Sequence, residues 1–275
     1  MRRDQLAINT VSIKFDKLEE GLDACAKAGF RNVEFVIAHL ETFLNDGHSI
    51  EDLKAVLAAR QLQCIGGFKG GIQAWGDAHT RKANHEQIVA NAELLGSLGA
   101  TGMVVGTDGP EDGGEAEAVI DALAAALASV GEQIAATGVT LCLEFNWSPV
   151  VKSVRTAAEI ARRSGRENVG VLFDPAHYHC TPSKFEHLTA ENVKTIKHVH
   201  VDDMNDKPGE LCNCNADRAL PGEGCLDLGA LFGRIEEHGY KGFFSIEMFS
   251  DELWGMAADQ AAKKMYESLL PLCRD

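Results

Sequence analysis

The 275-residue sequence is poor in basic residues. Its 26 lysines and arginines face 41 aspartates and glutamates, which leaves a formal net charge of −15. Nucleic acids and anionic membrane surfaces bind positively charged patches on proteins. The acidic balance therefore weighs against both as partners, and neither is expected here.

The sequence also lacks long apolar runs. A membrane-spanning helix needs about 20 consecutive apolar residues, and no such stretch occurs. Residues 1–5 run directly into a strand-like segment, without the apolar core of a secretory signal. With 45% hydrophobic and 24% charged residues, the composition is that of an ordinary globular protein. We expect a cytoplasmic location.

Cysteine is too sparse for a disulfide-stabilised scaffold, since only eight occur in the whole chain. Cys212, Cys214 and Cys225 lie near one another, but they lack the paired C-x₂-C spacing of a structural zinc site. Reduced loop thiols are the favoured interpretation, with a zinc knuckle as the alternative.

No G-x-G-x-x-G motif follows the first predicted strand, which argues against an open dinucleotide-binding sheet. What is present is a regular alternation of strand and helix patterns, without a linker or a break in composition. Strands are predicted at residues 6–10, 32–37, 62–68, 102–106, 140–145, 169–174, 197–203 and 243–249. Helices are predicted at residues 17–28, 49–60, 79–98, 115–137, 153–164, 184–194, 227–238 and 255–270. Eight such units predict a single-domain (β/α)₈ TIM barrel over residues 1–275.

Four of these strands carry metal-binding side chains near their carboxyl ends. Residues two apart on a strand share a face, and one face of each of the four strands is uniformly apolar. The opposite faces carry Glu144, Asp174, His200 and Glu247. Pro175 disfavours helical backbone at Asp174, and the Asp174 carboxylate is therefore expected on extended chain. In a barrel the polar faces point inward, and the four side chains are expected to converge at one mouth.

Three carboxylates and one imidazole suit a single divalent cation, with Mn²⁺ favoured and Mg²⁺, Co²⁺ or Zn²⁺ possible. One strand-end acid alone would be an ordinary cap or salt-bridge partner. Three crowded carboxylates would raise one another's pKa values, so a bound cation is the simpler account. Asp202 and Asp203 are expected to orient His200, whereas His179 and His198 are expected to be structural.

Three further side chains are candidates for substrate binding. His177 is expected to contact substrate or metal-bound water, or to form hydrogen bonds that orient the metal-ligating side chains. Arg218 belongs to the long connection at residues 203–227, which is expected to cover the mouth. That arginine is either a substrate clamp or a solvated charge. Trp147 is expected to form an apolar wall for a sugar ring.

The motifs of the second half, taken in order, resemble the xylose isomerase-like sugar phosphate isomerases and epimerases. They are Leu-Glu-Phe at 143–145, Phe-Asp-Pro-Ala-His at 173–177, His-Val-Asp-Asp at 200–203, Leu-Pro-Gly-Glu-Gly at 220–224 with Asp227, and Ser-Ile-Glu at 245–247. The similarity is greatest to the inosose isomerase branch, through the histidine-bearing turn after residue 174 and the Asp-Arg pair at 217–218. This resemblance implies metal ligation by Glu144, Asp174, His200 and Glu247, and substrate binding by His177 and Arg218. The first half resembles the family only in its fold.

The sequence therefore predicts a divalent-metal-dependent isomerase or epimerase of a keto-sugar or keto-inositol (inosose), working by proton transfer through a metal-stabilised enediolate. Glu144 and Glu247 are the catalytic candidates. Dehydration, or C-glycoside cleavage by a subunit using the same proton abstraction, is the alternative, and a non-catalytic sugar-binding barrel is less favoured. A DNA-cutting enzyme of this fold is disfavoured, because the third and fourth strands end without histidines and the chain is acidic. The expected partner is a small sugar or cyclitol, and a homo-oligomer is possible.

Overall fold

The computed structural model describes residues 1–274, and eight parallel strands form a closed barrel at its centre. The barrel strands are β1 (Leu6–Asn9), β2 (Asn32–Val36), β3 (Gln63–Ile72), β4 (Gly102–Thr107), β5 (Thr140–Glu144), β6 (Val169–Phe173), β7 (Ile196–Val201) and β10 (Phe244–Ile246). Their order around the barrel is β1-β10-β7-β6-β5-β4-β3-β2. Strand β1 pairs with both β2 and β10, which closes the ring. The predicted fold class is confirmed.

Helices follow the strands on the outside of the barrel. They are α1 (Leu18–Ala28), α2 (Ile37–Asn45), α3 (Ile50–Ala59), α4 (Ala78–Ser97), α5 (Ala116–Gln133), α6 (Val154–Arg163), α7 (Pro175–His179), α8 (Ala190–Val193), α9 (Leu228–Glu237), α10 (Asp251–Trp254) and α11 (Ala258–Leu269). Short 3₁₀ helices lie at Arg3–Gln5, Thr10–Ser12, Ala135–Thr137, Phe185–His187, Gly209–Leu211 and Leu270–Leu272. A small antiparallel pair, β8 (Asp203–Met204) and β9 (Arg218–Ala219), belongs to the long connection after β7. Among residues 1–274, none of the helices has the length and apolar character to span a bilayer.

Local signals explain where several helices begin and end. Ser49 Oγ accepts a hydrogen bond from the Asp52 backbone N–H at 3.1 Å, and the Asp52 carboxylate accepts one from the Ser49 N–H at 2.8 Å. This reciprocal capping box starts α3 at Ile50, next to the predicted start at residue 49. Helix α1 ends at Gly29, whose φ of +117° is a left-handed conformation that glycine adopts without strain.

The two faces of the barrel strands have different neighbours, as their alternation predicts. Leu141, Leu143 and Phe145 are fully buried in the large core between the strands and the helices. Cys142 and Leu172 instead form a separate apolar cluster inside the barrel. This interior cluster lies below the mouth of the barrel. It forms an apolar layer beneath the polar side chains at the strand ends.

Strand β3 is longer than predicted, because the glycine-rich segment after residue 66 continues the strand to Ile72. Its glycines allow close approach of the neighbouring strand. A Cβ atom at Gly66 would lie 2.8 Å from the carbonyl oxygen of Gly102, and one at Gly71 would lie 2.9 Å from that of Gly106. A larger residue at either position would push β3 and β4 apart.

The predicted helix at residues 184–194 is wrong. The chain forms a 3₁₀ turn at Phe185–His187 and then the single turn α8. Thr189 caps α8 by accepting a hydrogen bond from the Asn192 N–H, and that capping geometry starts a new helix instead of continuing the first.

Two other helical segments also differ from the prediction. Helix α2 is missing from it, although Ile37, Leu40 and Phe43 recur at three-residue spacing and are buried. The last helix begins at Ala258 instead of residue 255, and α10 forms a separate turn before it.

Candidate active site

The carboxyl ends of β5, β6, β7 and β10 bring four predicted side chains together. We call Glu144, Asp174, His200 and Glu247 the donor cluster. Each residue offers one ligand atom, and these four atoms all lie within 4.8 Å of one another. All four residues are buried. The backbone at the second of them is extended, with φ −127° and ψ 123°, as the proline that follows it predicts.

The imidazole of His200 aims one ring nitrogen at the carboxylates of the donor cluster. Its Nδ1 atom lies 3.3 Å from Asp174 Oδ2 and 3.3 Å from Glu247 Oε2. The Oε1 atom of Glu144 is 3.9 Å from the same nitrogen. Glu247 is also held from the first strand, because Asn9 Nδ2 donates a hydrogen bond to its Oε1 atom at 3.1 Å.

One oxygen of the donor cluster is poorly satisfied. Glu144 Oε1 is buried and accepts no properly directed hydrogen bond within the described part of the chain, although it lies 3.2 Å from His177 Nε2. A buried, under-bonded carboxylate oxygen is costly unless a positive charge is nearby. The donor set of three carboxylates and one imidazole can hold a divalent metal ion, and this unsatisfied oxygen fits such an ion.

Arg218 enters the site from the long connection, and its side chain is fully buried. Its guanidinium donates to Asp202 Oδ2 at 2.6 Å, and to Asp174 Oδ2 and Glu247 Oε2 at 3.1 Å each. The alternative of a solvated charge is therefore wrong. The long connection at residues 203–227 lies over the mouth of the barrel, as predicted, because its residues Cys214 and Arg218 line the cavity above the donor cluster.

Burial and neighbouring charges shift the pKa values of two carboxyl groups of the donor cluster in opposite directions. Burial alone would raise the pKa of Asp174, but the charges of Arg218 and His177 outweigh it and keep that pKa well below its usual value. Burial raises the pKa of Glu144, and the charge of Glu247 adds to the effect.

Asp202 and Asp203 do not orient His200, contrary to the prediction. Asp202 accepts from the Ala176 N–H at 2.8 Å and from Arg218. Asp203 holds the long connection instead: its Oδ2 atom accepts from the N–H groups of Gly222 and Gly224 at 3.1 and 3.2 Å. The first acid therefore anchors the arginine, and the second anchors the loop that carries it.

Glu34, which was not among the predicted site residues, is the acid that contacts the far side of the His200 ring, the role predicted for Asp202 and Asp203. It lies on β2, is fully buried, and approaches the Nε2 atoms of both His198 and His200. The signal was available in the sequence, because alternation along β2 places Val33 and Phe35 on the outer face and Glu34 on the inner one.

The other predicted substrate-binding residues surround a cavity of about 290 Å³ above the donor cluster. His177 and Trp147 both line it, together with Phe68 and Phe249. The rings of Phe68 and Trp147 meet edge to face, with centroids 6.0 Å apart. The cavity therefore has charged groups at its base and aromatic rings on its walls.

The three cysteines of the long connection are unbridged thiols, and Cys225 is exposed. Within residues 1–274, their sulfur atoms do not converge closely enough with other donors to hold an ion. Cys212 Sγ instead points to the Lys207 carbonyl oxygen at 3.4 Å. This arrangement argues against a zinc knuckle.

Comparisons with known proteins agree with this geometry. A family model described as the xylose isomerase-like TIM barrel matches residues 22–271. The inosose isomerase of Bacillus velezensis is 27% identical over 266 residues, which cover 94% of this chain and 92% of that protein. The inosose dehydratase of Clostridium botulinum is 22% identical over 260 residues, covering 86% and 84%. The crystal structure of the IolI protein with a binding zinc atom superposes with a TM-score of 0.88 at 24% identity, covering 98% and 97%, and shares this fold.

The barrel, the donor cluster and these relatives define an enzyme of the sugar isomerase and epimerase class. The resemblance found in the motifs of the second half is confirmed. The chain belongs to the xylose isomerase-like TIM barrel family.

Proposed function

We propose that this enzyme isomerises or epimerises a keto-sugar or a keto-inositol (inosose), using one divalent cation and proton transfer next to a carbonyl group. The observation that carries the proposal is the donor cluster, in which three carboxylates and one imidazole converge. Of these, Glu144, His200 and Glu247 line the base of a single cavity. The relative named inosose isomerase, which aligns along 94% of this chain, supports an inosose as the substrate.

Glu144, Asp174, His200 and Glu247 would hold the cation. Three oxygen donors and one nitrogen favour Mn²⁺, with Mg²⁺, Co²⁺ and Zn²⁺ as further candidates. The similar IolI structure has a binding zinc atom, which supports a divalent ion without selecting Mn²⁺. When bound, the cation would polarise a substrate carbonyl and stabilise the negative charge that develops as the neighbouring proton leaves.

Glu144 and Glu247 are the proposed acid–base groups. Both carboxylates reach the base of the cavity. One carboxylate removes the proton from the carbon next to the carbonyl, and the same or the other carboxylate returns it. Return to the former carbonyl carbon, with the hydroxyl proton passing to the former carbonyl oxygen, gives isomerisation. Return to the opposite face of the same carbon gives epimerisation.

The walls of the cavity would orient the substrate. Its volume of about 290 Å³ lies at the lower end of the range for small-molecule sites, about 300–1,000 Å³, and suits one ring. His177 and Arg218 offer N–H donors to substrate oxygens, and Trp147 offers an apolar surface to the ring carbons. The Arg218 guanidinium already donates to three carboxylates, so a substrate oxygen would share or displace one of these hydrogen bonds.

Dehydration is the second candidate, and the aligned relative named inosose dehydratase favours it. The same proton abstraction followed by loss of a hydroxyl group from the next carbon gives a dehydrated product. Both outcomes begin with the same exchangeable proton, so the first experiment does not depend on which product forms.

The experiment measures deuterium incorporation. Purified protein is analysed for bound elements, stripped with a chelator and reloaded with Mn²⁺, Mg²⁺, Co²⁺ or Zn²⁺. A panel of inososes and keto-sugars is then incubated with each form in deuterated water. We expect incorporation at a carbon next to the carbonyl with the reloaded enzyme and none with the stripped enzyme.

Matched variants, compared at equal content of bound cation, locate the groups that transfer the proton. Glu144→Gln and Glu247→Gln are expected to slow incorporation by about 10²–10⁴-fold. Glu132→Gln is the control, because its carboxylate pairs with Arg166 on the surface. Sugar binding without incorporation in any cation-loaded form would refute the proposal and favour a non-catalytic barrel.

A further inference from the structure

We propose that Glu34 is a positioning residue that fixes the tautomer of His200 and thereby sets the cation affinity of the donor cluster. This inference rests on the proposed function, because it takes His200 as a ligand through Nδ1. Glu34 is fully buried and is not among the residues that line the cavity. It therefore acts through the histidine and not on the substrate.

The two ring nitrogens of His200 face different partners. Nδ1 lies 3.3 Å from Asp174 Oδ2, within the donor cluster. Nε2 lies 3.1 Å from Glu34 Oε2 and 3.3 Å from Glu34 Oε1, on the far side of the ring. An imidazole binds a metal through a nitrogen lone pair, so its single proton must occupy the other nitrogen. The Glu34 carboxylate accepts that proton's hydrogen bond and selects Nε2–H.

His198 completes the arrangement, because its Nε2 atom lies 3.0 Å from the same Glu34 Oε2 atom. Two imidazole N–H groups therefore converge on one carboxylate. A glutamine in this place would lose the negative charge and one of the two acceptor oxygens, so it would hold the Nε2–H tautomer less strongly.

The contact crosses the barrel interior from β2 to β7, and Glu34 is 166 positions from His200 in the chain. Neither strand is a neighbour of the other in the sheet. Glu34 therefore holds the ring from the opposite wall, while the carboxylates of the donor cluster approach it from the mouth. Carboxylates that support a metal-binding histidine in this way contribute about 10–100-fold to metal affinity.

The same three residues could hold a second ion, since their donor atoms also lie within 4.8 Å of one another. This group has only one carboxylate to balance an ion, and neither Glu34 nor His198 lines the cavity. Each nitrogen already has the carboxylate as its partner. We therefore assign hydrogen bonds, and a stoichiometry of two ions per chain would overturn the assignment.

The test combines cation affinity with a direct readout of the tautomer. Wild type, Glu34→Gln and Glu41→Gln are titrated with Zn²⁺ against a chromophoric chelator, and the bound zinc is counted by elemental analysis. Glu41→Gln is the control, because its carboxylate pairs with Lys69 at 2.6 Å away from the cavity. We expect Glu34→Gln to bind zinc about 10–100-fold more weakly and Glu41→Gln to match wild type.

Histidine ¹⁵N NMR of the zinc-loaded wild type supplies the second readout and needs no variant to fold. We expect a protonated Nε2 and a zinc-bound Nδ1 at His200. Zinc on Nε2, or unchanged zinc affinity in folded Glu34→Gln, would overturn this inference alone. If the wild type takes up no divalent cation, the proposed function itself fails and the inference fails with it.

Discussion

Replacing Arg218 with methionine is expected to tighten cation binding while abolishing turnover. The guanidinium and a cation would draw on the same oxygens, because Arg218 donates to Asp174 Oδ2 and Glu247 Oε2 at 3.1 Å each. Methionine keeps much of the apolar stem and removes the charge. The donor cluster then loses a buried competitor for its oxygens.

The size of the effect follows from the charge removed. Two unit charges 4 Å apart interact by about 4 kcal/mol at an effective dielectric constant near 20. Relaxation and water entry reduce this, so we expect the dissociation constant for Mn²⁺ to fall at least about tenfold, which corresponds to about 1.4 kcal/mol. Without a cation, the carboxylates lose their buried partner, and unfolding should become easier by about 3–5 kcal/mol.

Two assays measure these terms. Competition with a chelator gives the cation affinity, and urea unfolding gives the stability with chelator present and with Mn²⁺ present. The loss of stability should be smaller with Mn²⁺. Arg166→Met is the control, because that arginine pairs with Glu132 on the surface and should cost at most about 1 kcal/mol. Weaker Mn²⁺ binding by folded Arg218→Met would refute the reasoning, since the arginine would then organise the carboxylates instead of competing for them.

Three further predictions test other parts of the structure. Mn²⁺ at 100 times its dissociation constant should stabilise the protein by about 2.7 kcal/mol and raise its melting temperature by about 5–10 °C in calorimetry; no rise would contradict a site built into the native fold. Gly106→Ala should raise KM and lower stability, because the new Cβ would clash with the backbone carbonyl oxygen of Trp147 and lie 2.8 Å from its Cδ2 atom, which displaces the cavity wall; unchanged KM would show that this wall does not contact substrate. Ser49→Ala should lower the urea-derived stability by about 1 kcal/mol through loss of the α3 cap and leave KM unchanged, whereas a changed KM would contradict a purely local role.

The barrel and the meeting of the donor cluster could be predicted because both follow from local alternation. Residues two apart on a strand share a face, and the carboxyl ends of parallel strands lie at one end of the barrel. Inward-facing residues at those ends therefore meet independently of the loop conformations. The position of Arg218 could not be predicted in this way. It depends on the bonds from Asp203 to the amides of Gly222 and Gly224, which join residues about 20 positions apart.

Glu34 shows a different limit. Alternation along β2 does place it inside the barrel, but its partners lie on β7, and no local pattern reports which side chains meet across the interior. The split of the predicted helix at residues 184–194 was also missed, because the capping hydrogen bond of Thr189 starts a separate turn. Side-chain hydrogen bonds therefore decided the details that periodicity could not.

The link between Asn9 and Glu247 has a consequence for biosynthesis. These residues join the first and last strands of the barrel across 238 positions of the chain. A ribosome must synthesise the chain through residue 247 before the fourth donor exists, and β1 must wait unpaired on that edge until then. Cation uptake during translation would therefore report the closure of the ring, and a chain stalled before residue 247 would have three donors and an open edge.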